Sequence, residues 1–198
     1  MVKRDLGGFT FGRPGQSCCL AVITGREEQY GDPDPRTYEV KVRRTWHLRT
    51  LKTWPPGTSV IQVADEIRET HAVYPINDER RLKDISIDCW GDSEIVRDLR
   101  KLLRGRGLDW RPTPVVEGER SDQAVRRSDL LYRWQSGVQQ KILLVDPSFG
   151  ADWQEHALKL DQGVRWRESD NDYLICAIGL AYWRTEEGAA GYMPGRLL

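Results

Sequence analysis

The chain has 198 residues, 39% of them hydrophobic and 30% charged, with Lys+Arg and Asp+Glu both at 30 and a net charge of zero. That length allows one sizeable core but not two typical domains, and the composition excludes an intrinsically disordered or membrane-embedded chain. The charge balance excludes a global pull toward nucleic acid and leaves only a local basic surface for such a role.

In chain order, residues 9–11, a Gly-Arg-Pro-Gly turn at 12–15 and residues 17–24 read as strand, turn and strand. The run from Cys18 to Ile23 is continuously apolar, as in a strand covered on both faces, and the adjacent Cys18 and Cys19 point to opposite sides. A proline-rich loop (31–35) precedes residues 37–48, where Tyr38, Val40 and Val42 alternate with Glu39, Lys41 and Arg43. That is the pattern of a half-buried strand, so the opening third is an antiparallel meander. Pro55-Pro56-Gly57 breaks the chain, and Thr58 or Ser59 caps a helix to about Thr70 with Val60, Val63, Ala64 and Ile67 inward.

Residues 84–88 form a short buried strand that leads through Gly91 into a helix over about 93–104, lined by Ile95, Leu99, Leu102 and Leu103. Residues 114–116 read as a strand, 124–136 as a helix, 141–145 as an extended segment and 152–160 as a further helix. The last helix starts near Asp170 and is almost continuously apolar from Tyr173 to Trp183. Residues 186–198 read as a flexible, glycine-rich tail, which leaves 1–185 as one domain. A meander followed by alternating strands and helices asks for an α/β fold: a mixed sheet, antiparallel and then parallel, flanked by helices.

No run reaches the length of a membrane span, and the first thirty residues lack the apolar core of a signal peptide. The four cysteines (Cys18, Cys19, Cys89, Cys176) contain no CxxC pair, so buried reduced thiols in a cytoplasmic chain are expected rather than a zinc site or disulfide framework. His47, His71 and His156 are scattered and read as structural or solvated. Of the eight tryptophans, Trp54, Trp110 and Trp183 sit at element ends, where a ring covers a core edge.

Three acidic places stand out. Asp88 ends a buried strand just before a turn, where open α/β sheets bind ligands, although an Asp there also serves as a turn cap. Asp170 and Asp172 open the last helix as caps, as dipole partners or as ligands. Asp5 precedes Leu6-Gly7-Gly8 near the first strand and is either a solvated terminal residue or a site acid. Carboxylates from a first strand, a fourth strand and a final helix can converge to hold two Mg²⁺ or Mn²⁺ ions ~4 Å apart. Basic residues gather at Arg97, Arg100, Lys101, Arg104 and Arg106, and again at Arg120, Arg126, Arg127 and Arg133. They form either a track for a DNA backbone or solvated faces balanced by Asp92, Glu94, Asp98 and Asp129.

Residues 18–24, 48–64, 85–103, 125–137 and 168–183 resemble, in order and wording, the nuclease domain of phage terminase large subunits. Leu48 to Ser59 is similar to that family's link from third strand to first helix, and Ile85-Ser86-Ile87-Asp88-Cys89-Trp90-Gly91 to its strand ending in Asp. Arg126-Arg127-Ser128-Asp129-Leu130 resembles its basic helix start, and Glu168 to Leu174 its acidic opening of a last apolar helix. The resemblance implies a ribonuclease H-like fold and metal-dependent endonucleolytic cutting of double-stranded DNA, in the cytoplasm of a bacterial or phage-infected host cell. It implies Asp88 as the second metal ligand, Asp172 as the third, Asp170 as neighbour or substitute, and Arg126 or Arg127 near DNA phosphate.

The first ligand has two possible equivalents. Asp5-Leu6-Gly7 matches the family's wording with extra residues in the turn, whereas ungapped counting puts Thr10-Phe11-Gly12 there, and a threonine hydroxyl is a poor ligand for a hard cation. Asn171 also stands where the family has an acid. No Gly-x-x-x-x-Gly-Lys-Ser/Thr loop occurs, so an ATPase motor would be a separate partner. Two other readings stay open: a catalytically degenerate relative that binds DNA or an assembly partner, and a nuclease akin to Holliday-junction resolvases.

Overall fold

Among the described residues twelve elements follow one another: β1 (Asp5–Thr10), β2 (Cys18–Tyr30), β3 (Lys41–Trp54), α1 (Val60–His71), β4 (Asp84–Asp88), α2 (Glu94–Arg104), β5 (Asp109–Thr113), β6 (Val115–Val116), β7 (Val125–Arg126), α3 (Arg127–Gln139), β8 (Leu143–Val145) and α4 (Asp172–Trp183). The computed structural model describes residues 5–11, 17–71, 82, 84–88, 94–104, 109–113, 115–116, 125–146, 149 and 172–185, with backbone alone at 71, 84, 109–113, 116 and 172. The expected turn at 12–15, helix at 152–160 and tail at 186–198, together with Arg106, Arg120 and Asp170, lie outside the described residues.

The main sheet has six strands in the order β5-β4-β1-β2-β3-β8. β1, β2 and β3 form the antiparallel meander. β4 then adds parallel to β1, β5 parallel to β4, and β8 parallel to β3. This is the mixed sheet that the order of elements asks for.

Alternation along β1 and β2 separates two apolar layers. Phe9, Leu20, Val22, Ile85 and Ile87 face Val63, Ala64 and Ile67 of α1 and Leu99 and Leu103 of α2. Leu6, Cys19, Ala21 and Ile23 face the other way, toward Trp134 of α3 and Ile175, Ala177, Ile178, Ala181 and Tyr182 of α4. Cys18 packs on the first layer and Cys19 in the second, the opposite orientation expected of adjacent strand residues. Each fully buried Leu, Ile or Phe here stabilises the fold by roughly 1.5–3 kcal/mol.

α4 is buried throughout from Ile175 to Tyr182 because it lies between the sheet and α3. Small residues permit this. A Cβ on Gly8 would come 2.0 Å from the Ala177 carbonyl oxygen and 2.5 Å from the Ala181 nitrogen. On the other side, a Cβ on Gly179 would meet the Leu130 Cβ of α3 at 2.9 Å.

Several elements differ from the sequence reading. β1 starts at Asp5 rather than at residue 9, because Gly7 and Gly8 hide the alternation that Leu6 and Phe9 carry. β5, with the sequence DWRPT, was not expected. Its proline argues against a strand in a sheet centre but is tolerated on the edge that β5 occupies. Arg126 is extended, with φ −73° and ψ 139°, and pairs with Val116, so the helix expected from residue 124 begins at Arg127. β3 carries a bulge: Val22 pairs with Thr50 and Ile23 with Leu48, leaving Arg49 as the extra residue.

Candidate active site

Parallel strands β1 and β4 pair from Leu6↔Asp84 to Phe9↔Ile87, so Thr10 and Asp88 end their strands side by side. Both side chains point away from the Phe9–Ile87 layer, toward the side of the sheet that carries α3 and α4. Thr10 is 0% and Asp88 4% exposed. The Thr10 hydroxyl donates to Asp88 Oδ2 at 3.2 Å. Asp88 Oδ1 is buried with no hydrogen-bond partner among the described residues.

Burial raises the Asp88 carboxyl to about pKa 6, outweighing the opposing pull of the Arg127 guanidinium, the Thr10 hydroxyl and the backbone amide of Val115. A buried carboxylate with a destabilised charge is a group whose charged form a nearby cation would stabilise. Arg127, at the first residue of α3, is itself buried.

The structure does not bring Asp5, the other expected first ligand, to this place. Parallel strands align start with start and end with end; Asp5 starts β1 while Asp88 ends β4. A rise of about 3.3 Å per residue puts Asp5 on the order of 16 Å from Thr10. Alternation also turns Asp5 to the Phe9 side of the sheet. There Arg49 Nη2 meets its carboxylate at 3.0 Å and the Thr24 hydroxyl donates to it at 2.6 Å. The ungapped alternative, Thr10, is the residue beside Asp88.

α4 crosses β1 at Gly8, and Tyr182 in its last turn lies against Gly137 and Leu143. Leu143 pairs with Trp46, and Trp46 with Gly25, next to Asp5's partner Thr24. The end of α4 is therefore at the Asp5 end of the sheet, and the helix starts, at Asp172, on the side toward the end where Thr10 and Asp88 meet. At 1.5 Å per residue Asp172 sits about 10 Å along the axis from the crossing. The Asp172 side chain and the whole of Asp170 lie outside the described residues. Among the described residues no three His, Cys, Asp or Glu side chains form a cluster able to hold a metal ion.

The arginines separate. Arg126 is engaged by Asp129 through Nε at 3.0 Å and Nη2 at 2.9 Å. Arg104 ends α2, whose Leu99 and Leu103 face the Phe9 layer, and the chain then enters β5, where Asp109 pairs with Asp84 at the far end from Asp88. Arg104 is thus on the opposite face and at the opposite end from the site. The Val115 amide had no sequence signal, since any residue there supplies the same N–H. Arg49 had none either, because a bulge aims it.

The architecture, a mixed α/β sheet flanked by helices, is similar in fold to solved terminase nuclease domains. Two solved structures carry the likeness. One is the crystal structure of the large terminase nuclease from thermophilic phage G20c, at 15% identity and TM-score 0.52 over 93% of this chain and 83% of that one. The other is the human cytomegalovirus terminase nuclease domain, Mn soaked, at 12% identity and TM-score 0.50 over 94% of this chain and 85% of that one. No protein-family model matches the chain, and no curated protein does. Identities this low establish the fold, so the chemistry must be argued from this chain's own side chains. No helix among the described residues is long and apolar enough to cross a membrane.

Proposed function

We propose that the chain is a terminase-like DNA endonuclease whose hydrolysis depends on Mg²⁺ or Mn²⁺ held at Asp88 and Asp172. The observation that carries the reading is the buried Asp88 with its unpartnered Oδ1, at the carboxyl end of a parallel strand pair in a terminase-nuclease fold. The donor set fits a divalent cation: a carboxylate oxygen is a hard ligand, and this one has no other partner among the described residues.

When bound, such an ion lowers the pKa of its water and polarises the phosphodiester. The chain's own groups do the rest. Asp88 would orient the ion, the Thr10 hydroxyl steadies the Asp88 carboxylate, and Arg127 adds positive charge beside it. Double-stranded DNA is the proposed substrate. A separate ATPase motor or other packaging proteins are the proposed partners, and the cytoplasm of a bacterial or phage-infected cell the proposed setting.

Incubating supercoiled plasmid with the protein and Mn²⁺ tests this. Wild type should nick or linearise it and Asp88→Ala should not; equal cutting by both would refute the assignment. A second reading, a domain that binds DNA or a packaging partner without cutting, is favoured by the hydroxyl of Thr10 in a carboxylate's place. It predicts retained DNA binding with no cutting in Mn²⁺ or Mg²⁺.

A further inference from the structure

A site for two divalent ions has to solve an electrostatic problem. Ions ~4 Å apart repel, and a shared carboxylate offsets this by giving one oxygen to each, with further acids balancing the charge. In this chain the candidate for that shared role is Asp88, and its two oxygens are not equivalent. Oδ1 is buried without a partner among the described residues, whereas Oδ2 accepts the Thr10 hydroxyl at 3.2 Å. Thr10 is wholly buried beside Asp88 on the same side of the sheet, so any side chain at position 10 meets that carboxylate. A carboxylate there would add an anionic oxygen and repel Oδ2 unless a cation lay between them. The hydroxyl does the reverse: it is neutral, and it caps the oxygen that a second ion needs.

We infer that Thr10 holds the site to a single divalent ion, bound through Asp88 Oδ1. The inference rests on the metal-binding reading above and sharpens it. Position 10 is the residue that sets how many ions the chain takes.

Counting ions by calorimetric titration of the full chain with Mn²⁺ at pH 8, with Mn²⁺ electron paramagnetic resonance as a second count, tests this without measuring cleavage. The expected counts are one ion on wild type, two on Thr10→Asp and one on Thr10→Asn, which has the size of Asp without its charge. Thr10→Val, close in shape and safe for folding, should still bind one ion but about fivefold more tightly, because Oδ2 loses its competing hydrogen bond. Two ions on wild type, a single ion on a Thr10→Asp variant with unchanged melting, or unchanged affinity in Thr10→Val would each overturn the inference while leaving the metal site standing. No saturable binding to wild type, matched by Asp88→Ala, would remove the site and this inference together.

Discussion

β1 touches two buried aspartates, one at each end, and they differ in how their charge is met. Asp5 is compensated: Arg49 lies 3.0 Å from one oxygen and Thr24 donates to the other at 2.6 Å. Asp88 is under-compensated. It has a neutral hydroxyl, an amide and the field of Arg127, and burial still wins, holding its carboxyl near pKa 6. The first arrangement offers a ligand nothing, since its charge is already neutralised in place. The second keeps a carboxylate whose charged form awaits a partner, the condition that marks functional sites.

Gly8 lies between the two ends, and substituting it should have the largest effect. In Gly8→Val the side chain would be driven into the Ala177 and Ala181 backbone, displacing α4 from β1. Because backbone cannot yield as a side chain can, a loss of more than ~3 kcal/mol in urea unfolding is expected. Next comes the Asp5 end. Arg49→Met leaves a buried carboxylate unbalanced and should cost about 3 kcal/mol, near the lower bound for such pairs because Arg49 is partly exposed. A cost below half a unit would show that Asp5 is compensated elsewhere.

The Asp88 end should respond to pH in the opposite sense. Its folded pKa of about 6 lies above the ordinary 3.8, so the native state binds more protons than the unfolded one between these values. Its contribution to stability is fully present below pH 3.8 and is lost as pH rises through 6, by on the order of 3 kcal/mol at most. Wild type minus Asp88→Asn, measured by urea unfolding from pH 4 to 7, should fall over that window; a flat difference would argue against a destabilised charge. Metal binding has the inverse dependence, so Mn²⁺ affinity should climb about tenfold per pH unit below 6 and level off above it. The smallest effect belongs to Arg127→Lys. It keeps the charge while altering its geometry and should move the Asp88 carboxyl, followed by carbon-detected NMR titration, by under about half a unit.

Much of this was legible in the chain. The continuous apolar run at Cys18 to Ile23 and the helical spacing of Val60, Val63, Ala64 and Ile67 each report a local period that survives in the structure, whereas the alternation from Tyr38 to Arg43 does not: the strand starts only at Lys41, and Tyr38 and Val42 are exposed. Asp88 could be picked out because a strand followed by a turn announces its own carboxyl end. What stayed hidden depends on pairing between distant segments. Whether Asp5 or Thr10 meets Asp88 is decided by the register of β1 against β4, and two glycines that erase alternation leave the start of β1 unmarked. Pro112 concealed β5 because its tolerance depends on the strand being at an edge, a property of the sheet rather than of the strand. The basic residues show the same limit, since Arg104 and Arg127 read alike in sequence yet lie on opposite faces.

The position of α4 has a consequence for how the protein comes into being. The helix that covers Leu6, Cys19, Ala21 and Ile23 is the last described element, separated from β1 by most of the chain. While the ribosome is still translating, the meander can assemble with only one side covered, and an apolar surface stays open to water until residue 183 has left the exit tunnel. Closure is thus a late, long-range event with a high entropic cost, and the nascent chain is exposed to association throughout that interval. A ribosome stalled before α4 would hold a sheet with one bare side, so chaperone demand should concentrate in the interval before α4 is made.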